Sequence, residues 1–135
     1  MLKITHVVFP VALASFLTKD ANFLFATGLF GILSDIDVLL KIKHRGFTHS
    51  LLFLFLILYL VYIFDRSLLI FAFIGLTSHI FLDSLTKSGV QLFYPAKRRF
   101  RILTFRYDSV ILNTLIILLS LYILKKNGVV DWRFL

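Results

Sequence analysis

The sequence has no cysteine, which excludes disulfides and thiolate metal sites. It has no glutamate, so all seven acidic residues are aspartates; nothing in the sequence explains that absence. Charged residues are scarce, at 16% against 59% hydrophobic, with a mean hydropathy of +0.93. Soluble domains run near 45–50% apolar and about 25% charged, so an ordinary soluble domain is excluded and a polytopic membrane protein is expected. There is no internal repeat or low-complexity linker, and 135 residues argue for one domain, 1–135. No cleavable signal peptide is expected, because the first apolar stretch contains His6 and Pro10 and lacks a small-x-small cleavage site.

What the chain has is five apolar segments, at 4–17, 22–40, 50–64, 67–83 and 109–124. The first is short for a crossing that needs about 20 residues. In the second, Gly28 and Gly31 are spaced for close helix packing. The fold expected is all-α, a polytopic membrane bundle of four to five apolar helices. The net charge is +8. Its basic residues flank apolar spans, which points to membrane lipid headgroups as partners and away from nucleic acid. The loops at 41–48 and 87–108 are strongly basic and are assigned to the cytoplasm; the turns at 19–21 and 65–66 are nearly neutral and fall outside. Lys125 and Lys126 then run against that rule.

The chain turns on residues 33–50, which hold two of the seven aspartates and two of the four histidines between two apolar runs. An Asp at the centre of a membrane helix costs roughly 2.5 to 3.5 kcal/mol, and a divalent cation would offset that cost. The topology places His6, Asp35, Asp37, His49, His79 and Asp83 at one membrane depth, from four segments, although none of them was used to draw it. Carboxylate oxygen and imidazole nitrogen are common ligands of divalent metals.

His79 and Asp83 are an i, i+4 pair, so one helix face presents both; the plainer reading is a His–Asp bond between helices. Asp35 and Asp37 diverge by about 200° on a helix. Either one faces the site and the other the headgroups, or the helix ends at Ser34 and both turn inward. Arg45 matches phosphate oxygens with paired donors, but a basic loop touching lipid heads accounts for it as well. Thr48 or Ser50 is a cap for the next helix. Gly89 is a helix breaker and Pro95 a turn, with Gln91 and Tyr94 as candidate pocket residues.

Taken together, His6, Asp35-Ile-Asp37, His44-Arg-Gly-Phe-Thr-His-Ser50, His79-Ile-Phe-Leu-Asp83 with Ser84-Leu-Thr following, and Gly89-Val-Gln-Leu-Phe-Tyr-Pro95 resemble the YdjM-type family of inner-membrane metal-dependent hydrolases. The likeness covers about residues 6–95 and departs at Ser34, where that family often has Pro. More remotely, the order of ligands is similar to the zinc-dependent phospholipase C and single-strand nuclease superfamily. That similarity implies one metal on Asp35, His49, His79 and Asp83, and a second on His6 with a bridging Asp83. Asp37 and His44 would complete the second site or orient its ligands.

The expectation is therefore an inner-membrane metal-dependent hydrolase with its site facing the cytoplasm. His6, Asp35, His49, His79 and Asp83 are the metal ligands, and Asp37, His44 and Arg45 the catalytic groups. The cofactor expected is one or two divalent ions, zinc first, with manganese or magnesium as alternatives. The substrate expected is a phosphoester or phospholipid, its phosphate paired with Arg45 or the 97–101 basic cluster. Two other classes fit the same residues: a transporter or proton relay built on intramembrane Asp and His, and a non-catalytic membrane protein with a closed structural metal site.

Overall fold

The computed structural model describes residues 1–41 and 45–131, and the chain is helical with no strand among them. His44 lies outside the described residues. The helices are α1 (Lys3–Ala14), α2 (Ala21–Leu33), the single turn α3 (Ile36–Leu39), α4 (Leu51–Phe64), α5 (Leu69–Ser84) and α6 (Val110–Lys126).

The starts of α2 and α4 are capped by side chains. Asp20 accepts from the Asn22 amide and Ser50 from the Phe53 amide, satisfying donors that a helix start leaves open. Ser50 is thus the cap, and Thr48 turns elsewhere. The segment 22–40 is not one helix: α2 stops at Leu33, Ser34 is its C-cap, and α3 restarts at Ile36. Gly89 does not break α5, which already ends at Ser84; it sits at φ +60 in the fold-back that follows.

Glycines set the spacing of the first, second and fifth helices. A Cβ on Gly31 would collide with the His6 carbonyl and stand 2.8 Å from Pro10 Cγ; one on Gly75 would stand 2.7 Å from the Thr27 carbonyl oxygen. α2 is therefore clamped between α1 and α5 at backbone contact, as the small-residue spacing predicts. α6 runs beside α1 in the same direction: Asn113 near its start takes bonds from the Leu2 amide and the Thr5 hydroxyl, and Asn127 past its end bonds Ser15. The basic stretch after α5 doubles back on itself. Val90 and Phe100 exchange backbone hydrogen bonds, and Lys87 N–H donates to the Phe105 carbonyl.

The interior is unusually polar. His6, Thr27, Ser34, Asp37, His49, His79, Asp83 and Asn113 are all buried, while Leu56, Tyr59 and Phe64 on α4 and Ile111, Leu115 and Leu118 on α6 are exposed. Water favours the opposite arrangement. Arg66–Ser84, which is α5 with the turn before it, is among the described residues the one helix long and apolar enough to cross a membrane. At about 1.5 Å per residue it reaches nearly the roughly 30 Å of a hydrocarbon core, whereas α1, α2 and α4 are shorter.

Candidate metal centre

The donors gather where the ends of α2 and α5 meet the starts of α1 and α4. The break at Ser34 turns both aspartates inward: Asp37 is fully buried, and Asp35 keeps only 16% side-chain exposure. The imidazole Nε2 atoms of His49 and His79 face each other at 3.0 Å. Asp35 Oδ1 lies 3.7 Å from the first and 3.6 Å from the second, and Asp83 Oδ2 lies 3.3 Å and 3.9 Å from them. Four ligands at about 2.0–2.2 Å from a tetrahedral ion stand roughly 3.3–3.6 Å apart. The observed 3.0–3.9 Å brackets that range.

The protons also fit. His79 Nδ1 lies 2.6 Å from the Gly31 carbonyl oxygen. A carbonyl only accepts, so Nδ1 carries the proton and Nε2 turns a lone pair inward. His49 Nδ1 lies 3.0 Å from the Thr48 hydroxyl oxygen, which itself donates to Asp37 Oδ2, and 3.4 Å from that carboxylate oxygen, a comparable outer hold on the other ring. Holding the outer ring nitrogen on a carbonyl or carboxylate is how proteins fix a metal-binding histidine. Two imidazole nitrogens and two carboxylates meeting in a buried space are a donor set that can hold a cation. Burial pulls the His49 imidazole down, yet Asp37 and Asp83 outweigh it and hold the ring above its ordinary value, so a proton competes with any cation for its Nε2.

His6 stacks on His79 with ring centroids 3.9 Å apart, and its Nε2 is 3.3 Å from Asp83 Oδ1. With Asp35 and His79 it forms a second group of metal-capable donors, overlapping the His49–His79–Asp83 group. Its Nδ1 is buried with no hydrogen-bond partner among the described residues.

Asp37 and Arg45 stand one layer out. Asp37 Oδ2 accepts from the Arg45 amide at 3.0 Å and the Thr48 hydroxyl at 2.8 Å. Arg45 does not extend to lipid heads; it is buried, with Nε 3.1 Å from Asp83 Oδ2, Nη2 3.2 Å from Oδ1 and Nη1 2.6 Å from the Thr86 hydroxyl. The Met1 amino group adds a contact of 3.0 Å to Asp83 Oδ1. Arg45 holds φ +61, a conformation unusual for a residue with a side chain; its buried amide and guanidinium bonds offset that strain. Gln91 is buried and its backbone N–H donates to the Arg45 carbonyl, whereas Tyr94 is largely exposed against the Phe47 ring.

Sequence reasoning placed Thr86 in a matching string but gave it no role, and did not find the Gly31 carbonyl. Thr86 stands three residues after Asp83, a helix-end position from which a hydroxyl reaches back to the preceding turn, and it does accept that role toward the Asp83 carbonyl. A backbone carbonyl leaves no mark in sequence.

The family model for the YdjM inner membrane protein matches residues 1–135. The chain belongs to the YdjM family. Over 61 residues it is 39% identical to the uncharacterized protein YvsG of Bacillus subtilis (strain 168), covering 44% of this chain and 38% of that one. Over 66 residues it is 41% identical to the inner membrane protein YdjM of Escherichia coli (strain K12), covering 44% of this chain and 34% of the relative. The aligned region thus spans little more than a third of the length of these curated relatives. No solved structure matches. As a YdjM-family member the chain is an inner membrane protein, and its polar interior with apolar exterior accords with that location.

Proposed function

We propose that this chain is a membrane-embedded, metal-dependent hydrolase of the phosphoester class, its site at the cytoplasmic face. Asp35, His49, His79 and Asp83 would hold the ion, with His6 extending the site toward a second. Zinc suits two imidazoles and two carboxylates best; manganese and magnesium are the oxygen-preferring alternatives. Such an ion, when bound, acidifies water and polarises a phosphoryl oxygen. The protein's own contribution is positional. Gly31 and Asp37 orient the two rings, Arg45 holds the Asp83 carboxylate while Thr86 holds Arg45 and the Asp83 carbonyl, and the helices exclude water from the donors. The observation that carries this reading is the pair of inward Nε2 atoms at 3.0 Å, flanked by carboxylate oxygens from two different elements.

The bundle would sit with α5 crossing the bilayer and the shorter helices packed around it. Their exposed Leu, Phe and Tyr side chains face lipid, and the basic 87–108 stretch lies among cytoplasmic headgroups. Donors collected at one depth favour a reaction centre over a conduction path, which needs them spread across the membrane.

Elemental analysis of purified wild type beside His79→Ala tests the proposal. The wild type is expected to carry stoichiometric divalent metal and the variant to lose at least nine-tenths of it. Phosphoesterase activity should fall with chelation and return with zinc. A wild type free of divalent metal after growth in zinc-supplemented medium would overturn the reading.

A further inference from the structure

Beside the donor cluster lies a cavity of about 240 Å³ lined by Arg45, Ser88, Arg99 and Tyr107. A second cavity, about 470 Å³, adjoins it, shares Ser88 and Tyr107, and is otherwise lined by Lys87 and Arg106. Among the described residues no carboxylate lines either one. We propose that the smaller cavity is a phosphoryl-anion subsite, formed by Arg45, Arg99, Ser88 and Tyr107, that receives the phosphate group of the substrate. This rests on the hydrolase reading given above and names the part of the substrate that the site grips.

A guanidinium has five N–H donors. Asp83 and Thr86 account for three of those on Arg45, which leaves two on a residue that also lines the cavity. Arg99 donates to the Ser88 carbonyl, a neutral partner, so its charge is uncompensated; among the described residues no carboxylate pairs with it. Arg106, by contrast, is matched by Asp108 with contacts of 2.9 and 3.1 Å. Among the described residues each cavity thus keeps one cation without a carboxylate, Arg99 in the smaller and Lys87 in the larger, but only the smaller adds the free donors of a second guanidinium, that of Arg45. Two guanidinium groups and two hydroxyls, which can turn their O–H outward, make a donor-rich wall of the kind that phosphate oxygens take. The volume lies below the roughly 300–1,000 Å³ of sites that enclose a drug-sized ligand; it suits a headgroup phosphate rather than a whole lipid. Because Arg45 touches both the cavity and Asp83, an anion seated there lies one side chain away from the metal donors.

The test uses the full chain in nanodiscs of neutral phosphatidylcholine, titrated with inorganic phosphate by calorimetry, with metal content measured on the same samples. Wild type should bind phosphate saturably. Arg99→Ala should weaken binding about tenfold with metal content unchanged, while Lys97→Ala, outside the cavity, should change it less than twofold. Including phosphatidic acid in the disc separates the sources: abolished phosphate binding marks a lipid headgroup as the ligand, unchanged binding marks a soluble phosphate, and either supports the subsite. Absence of saturable binding, or equal losses in the Arg99 and Lys97 variants, overturns it. Either result in a metal-loaded protein leaves the hydrolase reading standing, and phosphate binding by a metal-free wild type would do the reverse.

Discussion

α4 and α5 are neighbours of similar length and are both strongly apolar, yet they do opposite work. α4 buries only Phe53 and Leu54 and turns most of its Leu, Phe and Tyr side chains outward. α5 buries ten residues, among them Ala72, Gly75, Ser78, His79, Asp83 and Ser84. The difference is one of size and polarity. Small residues let α5 approach α2 at backbone distance, and that approach brings His79 Nδ1 to the Gly31 carbonyl. In a lipid surround, large apolar side chains gain nothing by facing protein rather than acyl chains, so close packing and polar contacts decide which helix is central.

Three substitutions would break or sharpen that contrast. Gly75→Val on α5 should have the largest effect. Its new Cβ would stand 2.6 Å from Phe30 Cβ and 2.7 Å from the Thr27 carbonyl oxygen, so α2 must move. Overpacking of this kind costs about 1–3 kcal/mol, read as a lower midpoint of thermal unfolding in detergent, and metal occupancy should fall with it. An unchanged midpoint would mean that α2 and α5 do not touch there. Thr86→Val, just past the end of α5, should be milder. It removes the hydroxyl that holds Arg45 Nη1 and is expected to weaken metal affinity about tenfold, the lower end for outer partners of metal ligands, with little change in unfolding midpoint. Leu56→Ala on α4 should be the smallest: its side chain is exposed, and stability should stay within about 0.5 kcal/mol. A loss as large as that of Gly75→Val would place α4 in an interface and remove the contrast altogether.

Much of the candidate site was legible before any coordinates. Imidazoles and aspartates at the edges of apolar runs are too costly to be incidental, and alternation of the segments puts His6, Asp35, His49, His79 and Asp83 at one end. The structure brings all five together. What stayed open was local. The two placements of Asp35 and Asp37 could not be separated, because hydropathy runs straight through Ser34 while the backbone does not. Arg45 on its own read better as a headgroup contact, since a basic loop gives no sign that one of its members folds inward against a carboxylate 38 positions away. The fold-back of 87–108 escaped for a related reason: its pairing rests on isolated bridges, Thr86 with Phe105 and Val90 with Phe100, too short to leave an alternating pattern.

Gly31 joins two properties that most proteins keep apart. Its lack of a side chain admits the backbone of α1, and its carbonyl selects the tautomer of His79. Any disturbance that parts those helices, whether heat, a thinner bilayer or a bulkier neighbour, also releases that ring to rotate and reprotonate. Calorimeter and metal titration should therefore register a single event, and a stabilised version of this chain would be expected to grip an added divalent ion more tightly without any change to the proposed ligands.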